Sequence, residues 1–235
     1  PHRSLKVSCV LAIFFSVKSA QAKRRGLFLT CRPKIGNAFG EVSVRARRQS
    51  DYVVVSIHSH EIDGDNLREP ASFLVEFAHA CIDEGAHAVV GHGPHRVRGI
   101  EVYRNRPIFY SLGNFIFQNE SVERQPKDFY DKYGLSSEAS VADAYFSRSA
   151  NDTRGLGTYP AIWESVVALW EMENGEMKSM RLHPISLGFG SPPYQRGWPK
   201  LTSDLNVLED LQKLSEPFGT KFCIENGVAV WCPEV

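Results

Sequence analysis

The chain has 235 residues, of which 43% are hydrophobic and 23% charged, an ordinary balance for a soluble globular protein with one sizeable core. Lysine plus arginine and aspartate plus glutamate both number 27, so there is no net charge to draw the chain to nucleic acid or an anionic membrane. The five cysteines are scattered and none forms a CxxC pair, which argues against a cysteine zinc site; Cys223 and Cys232 either bridge or remain free thiols.

At the start, basic His2, Arg3 and Lys6 precede an apolar run at 7–17 and an Ala20-Gln21-Ala22 triplet. Residues 1–25 therefore read either as a signal-like segment, which places the chain in the cell envelope or outside the cell, or as an irregular segment of a cytoplasmic protein. The run is too short to span a bilayer as a helix. Residues 26–235 form the domain proper. A short strand is expected at 26–30 and a charged helix at 41–49. The β-branched run at 52–57 has the continuous apolar character of a strand covered on both faces. Pro70 opens a helix whose Leu74, Phe77, Ala78, Cys81 and Ile82 follow the 3.6-residue period, with Gly85 as its stop.

Further strands are expected at 88–90 and 107–112. Each of the three runs ends in polar residues, and strand–helix–strand order is the α/β pattern, in which binding groups sit at strand ends. Residues 118–159 are polar and serine-rich and read as a long insert or lid. The runs at 166–173 and 177–187 flank Asn174-Gly175, the signature of a type I′ hairpin. Leu205, Leu208, Leu211 and Leu214 mark a last amphipathic helix over 204–215.

The chemistry concentrates in two histidine pairs. His58 and His60 follow one strand, and His92 and His95 follow the next. Neutral imidazole is a good ligand for zinc, manganese or iron, and loops at neighbouring strand ends let rings from different segments converge. Gly91 and Gly93 allow close backbone approach and Pro94 stiffens the turn. Arg96 and Arg98 flank this loop and are candidates to hold an anionic substrate. Asp63 and Asp65 are either extra carboxylates or, more simply, turn residues around Gly64. No phosphate-cradling glycine loop and no G-x-S-x-G elbow is present.

Three motifs, Ser56-Ile57-His58-Ser59-His60-Glu61, Gly91-His92-Gly93-Pro94-His95 and Tyr110-Ser111-Leu112-Gly113-Asn114-Phe115, resemble successive motifs of the poly-γ-glutamate capsule-synthesis (CapA-like) family of the metallophosphoesterase superfamily. Pro184-Ile185-Ser186-Leu187-Gly188-Phe189-Gly190, Gln195-Arg196-Gly197 and Ser215-Glu216-Pro217-Phe218-Gly219-Thr220 are similar to its C-terminal signature. The resemblance implies an α/β (α+β) metallophosphoesterase-like fold, a two-sheet β-sandwich flanked by helices and incomplete at its N-terminus. It implies one or two divalent ions (Mn, Zn or Fe) held by His58, His92 and His95, with Glu61, Asn114 and His60 lining the pocket as catalytic groups. Three histidines cannot hold two ions alone. The family's Asp, Asn-x-Glu and Asn-His elements have no counterpart here beyond Gly36-Asn37 and Glu41 at the wrong spacing, so the chain reads as a fragment or a degenerate member.

Two functions follow. One is a metal-dependent hydrolase of phosphoesterase type, linked to poly-γ-glutamate synthesis, export or release and acting on an anionic substrate or polymer. The other is a non-catalytic accessory protein that keeps the scaffold and completes its fold against a membrane synthase complex. Nucleic acid is not an expected partner.

Overall fold

A computed structural model describes residues 13–16, 52–119 and 121–233 of the chain, the first of these as backbone. The strand and helix expected at 26–30 and 41–49, Cys9, Cys31 and all of the 1–25 segment except 13–16 lie outside the described residues. The fold is α+β, with helices packed against two five-stranded sheets.

The first sheet contains β1 (Ile13–Ser16), β2 (Val54–His58), β3 (Ala88–His92), β4 (Ile100–Tyr103) and β5 (Arg106–Phe109), in the order β1-β2-β3-β5-β4. β1, β2, β3 and β5 run parallel, and β4 is an antiparallel edge. Parallel neighbours need a long crossover, and helix α1 (Ser72–Asp83) supplies it between β2 and β3. α1 buries Leu74, Ala78, Cys81 and Ile82, the stripe set by its apolar period, against Val55, Ile57, Val89 and Ile108 of the sheet. The 107–112 strand is shorter than its apolar run, because β5 turns into a loop after Phe109. Its partner β4 was not evident in the sequence, where no Asn-Gly or Asp-Gly marks the connecting Arg104-Asn105 turn.

The second sheet is antiparallel, with β6 (Glu164–Glu173), β7 (Glu176–Ser186), β9 (Phe222–Glu225) and β10 (Val228–Trp231) in the order β6-β7-β10-β9. The two-residue strand β8 (Lys200–Leu201) adds to β7. Asn174 and Gly175 carry the positive φ angles, 54° and 84°, that the expected β6–β7 hairpin requires. A second Asn-Gly pair, at 226 and 227, turns β9 into β10, and Cys223 bonds to Cys232 across that hairpin.

The two sheets pack face to face. Ile100 and Phe109 of the first meet Val166, Met180, Leu182 and Ala229 of the second, closed at the side by α4 (Asn206–Ser215) through Val207, Leu208 and Leu211. The insert is more ordered than its composition suggests. It holds α2 (Lys127–Lys132) and α3 (Val141–Ser149), and α3 starts in a capping box in which Ser140 Oγ accepts from the Asp143 amide at 3.1 Å. No helix among the described residues is long and apolar enough to cross a membrane.

Candidate functional site

β2 and β3 pair in register up to His58 beside His92, so their two loops leave the sheet side by side. The Ser59 amide donates to the His92 carbonyl at 2.9 Å, extending the ladder one residue into the loops. There the imidazoles meet. His58 Nδ1 lies 3.0 Å from His92 Nδ1, and His58 Nε2 lies 2.9 Å from His60 Nε2. The far side of His92 is held by Ser56, whose Oγ is 2.8 Å from Nε2. One proton per ring satisfies every link from His60 through His58 and His92 to the serine hydroxyl.

His95 joins from the other side, its ring centroid 5.6 Å from that of His60. The residue sits at φ 59°, after Gly93 at φ 121°, so the loop turns back sharply toward the sheet. Its Nδ1 is 2.9 Å from Asn114 Oδ1. The Asn114 amide nitrogen donates to the Ile162 carbonyl at 2.9 Å, so Oδ1 is the acceptor and His95 Nδ1 carries the proton. The other ring nitrogen is then bare. Asn114 is a buried side chain that orients the His95 ring.

Burial favours the neutral form of two of these rings, His60 and His92. Burial lowers the pKa of His60 first, then the His58 and His95 rings, with Glu61 pulling the other way. Burial and the His58 ring likewise lower His92. Glu61 accepts from Ser59 Oγ at 2.7 Å. Arg98 is inside the protein rather than on a rim. It is 1% exposed, its Nε donates to the Leu67 carbonyl at 3.3 Å, and burial, followed by the charge of Arg96, brings its pKa down to about 10. Its NH1 has no hydrogen-bond partner among the described residues. Arg96 points to the insert, 5.8 Å over the Tyr159 ring.

The structure thus brings His58, His60, His92, His95 and Asn114 together, with Glu61 and Arg98 electrostatically coupled to His60. The donor chemistry suits a divalent transition-metal ion, because imidazole nitrogens are good ligands and two of the rings are oriented from behind. Their contacts are pairwise, however: among the described residues no group of three or more His, Cys, Asp or Glu is arranged to hold one ion. Asp63 is committed elsewhere, since its carboxylate accepts from the Ser72 amide at the start of α1 at 2.5 Å. Two further histidines brace the fold: His79 bonds Glu101 at 2.9 Å, and His87 Nδ1 accepts from the Val53 amide at 3.0 Å.

Sequence reasoning missed Ser56. The signal was available, since Ser56 and His58 are two apart on one strand and share a face. Arg196 pairs with Asp152 of the insert at 3.0 Å and lies 5.0 Å over the Trp163 ring.

Two curated relatives, the uncharacterized proteins y4sH and y4uA of Sinorhizobium fredii (strain NBRC 101917 / NGR234), are each 41% identical to the chain over 200 residues. The match covers 79% of this chain and 42% of each relative, so the chain spans well under half their length. The family model described as bacterial capsule synthesis protein PGA_cap matches residues 32–119, a span that contains both histidine loops and Asn114. Over that span the chain belongs to the PGA_cap family of bacterial capsule synthesis proteins.

Proposed function

We propose that the histidine cluster is the metal-binding part of a hydrolase centre of phosphoesterase type, acting on an anionic substrate in the synthesis, export or release of a poly-γ-glutamate capsule. The observation that carries this reading is the His58–His92 contact of 3.0 Å across the ends of two neighbouring parallel strands, with His60 and His95 beside it. His58, His92 and His95 would hold the ion. A bound divalent cation supplies a water of lowered pKa and stabilises charge on the attacked centre. The chain's own groups do the rest. Ser56 and Asn114 fix the His92 and His95 rings, and burial keeps His60 and His92 neutral and able to donate a lone pair. Arg98 places positive charge beneath the cluster. The capsule link comes from the family description, and the relatives' greater length leaves room for further ligands in the whole protein.

A second reading, a non-catalytic accessory protein that keeps the scaffold, is favoured by the lack of a three-ligand metal set among the described residues. Metal analysis of the purified protein, paired with hydrolysis of bis-p-nitrophenyl phosphate in added Mn²⁺ or Zn²⁺, separates the two. The hydrolase reading expects bound metal and cation-dependent cleavage, both reduced on the order of 100-fold or more in His92→Ala. Trace metal, and a rate that His92→Ala leaves unchanged, would establish the accessory reading.

A further inference from the structure

Beside the histidine cluster, under the insert, lies a cavity of about 250 Å³. His95 lines its inner end. Phe117, Tyr145, Phe146 and Leu156 give it apolar walls, and Trp163 and Arg196 close one side. Arg196 is firmly placed. The next residue, Gly197, has φ 91°, its amide donates to the Leu187 carbonyl at 2.7 Å, and its carbonyl accepts from the Phe117 amide at 3.0 Å. Any side chain at 197 would strike the Phe117 carbonyl. The guanidinium stacks over Trp163, itself fixed by an indole N–H that donates to the Gly157 carbonyl at 2.8 Å.

On this cation sits a carboxylate from the insert. Asp152 meets Arg196 through two contacts, of 3.0 and 3.1 Å, the side-on pairing that suits a guanidinium and a carboxylate. The two partners differ in how they are held. The Arg196 side chain is 11% exposed and Asp152 38%. Asp152 also ends a run of three left-handed residues, Ala150 at φ 49°, Asn151 at 56° and Asp152 at 59°, a conformation that disfavours side-chain-bearing residues. A rigid, nearly buried cation is therefore capped by an exposed carboxylate on a strained turn, in a cavity whose lining sets aromatic and aliphatic side chains beside Asn119, Arg148 and Arg154.

We propose that this cavity is a substrate subsite for an aliphatic carboxylate, that Arg196 is its specificity-determining side chain, and that Asp152 is the internal carboxylate the ligand displaces. The inference rests on the proposed reading of the cluster, since the cavity shares His95 with it. The methylene stretch packs against Phe117, Tyr145, Phe146 and Leu156, and the carboxylate replaces Asp152 on Arg196.

The test uses the full chain stripped of metal, with glutarate as probe and tryptophan fluorescence as readout. Saturable binding is expected. Asp152→Asn tightens it about tenfold by removing the competing carboxylate, and Arg196→Lys, which loses the two-pronged contact, weakens it about tenfold. A merely structural ion pair would not make Asp152→Asn bind more tightly, and that exposed variant keeps the test informative if Arg196→Lys folds poorly. The proposal is overturned if Asp152→Asn fails to tighten binding, or if 1,5-pentanediol or inorganic phosphate binds as well as glutarate. Glutarate binding as described in a protein that cleaves no ester with any cation would sink the hydrolase reading alone. Cation-dependent cleavage without glutarate binding would sink this proposal alone.

Discussion

The two sheets end their strands differently. In the antiparallel sheet, β6 turns into β7 at Asn174-Gly175 and β9 into β10 at Asn226-Gly227, all four residues at positive φ. A two-residue turn returns the chain at once and leaves nothing to hold a ligand. In the first sheet only β4 and β5 join by such a turn, at Arg104-Asn105; β2 cannot return directly to its parallel neighbour β3, so both strands run out into loops on the same side. His58 and His92 end the two strands, and the loops beyond them carry His60 and His95. Strand connectivity, more than histidine content, explains why one end of one sheet is chemically equipped while the other sheet is scaffold.

The comparison predicts a separation of effects. The largest on stability is expected in the scaffold sheet: Leu182 is fully buried on β7, and Leu182→Ala lowers stability by about 2–5 kcal/mol in denaturant melts. Metal bound per folded molecule should not change. A parallel loss of metal would show that the two sheets are not separable in this way.

Much of this division was legible in the sequence. β2 and β3 read as strands because burial on both faces makes them continuously apolar, and the α1 stripe follows from its period. The Asn174-Gly175 turn carries its own signal. β4 was not legible, because its four residues have only a short alternation and the Arg104-Asn105 turn lacks glycine. The histidine loops could be read as strand ends. Their wiring could not, since which nitrogen faces which depends on how two strands register. The Asp152–Arg196 contact joins residues 44 apart through tertiary folding, which no local pattern encodes. The Ser140–Asp143 capping box of α3 was a readable local signal inside what read as a polar insert or lid.

A smaller effect sharpens the contrast at the parallel strand ends. Ser56→Ala removes the hydroxyl behind His92 and should weaken metal affinity about 10–100-fold while shifting the melting temperature little. An unchanged affinity would mean that the serine only fills space.

The smallest concerns the connection between β2 and its crossover helix. Asp63→Asn should destabilise by about 0.5–1 kcal/mol, less at high salt, by removing the charge that receives the Ser72 amide. Hydrogen bonds from Ser72 lower the pKa of Asp63 in the folded state. Its contribution is therefore present above the unfolded carboxylate value of about 3.9 and is lost as pH falls through the folded value. The gap between wild type and variant should be full at neutral pH and close in acid. A gap that persisted in acid would assign the effect to something other than the charge.

The central claim is that imidazoles at the ends of β2 and β3 share a cation. Anomalous scattering from crystals of the protein grown with Zn²⁺ tests it most directly. The account predicts a peak at about 2.0–2.1 Å from ring nitrogens of His58 and His92. Zinc absent from the cluster, or bound only at other surface groups, would contradict it.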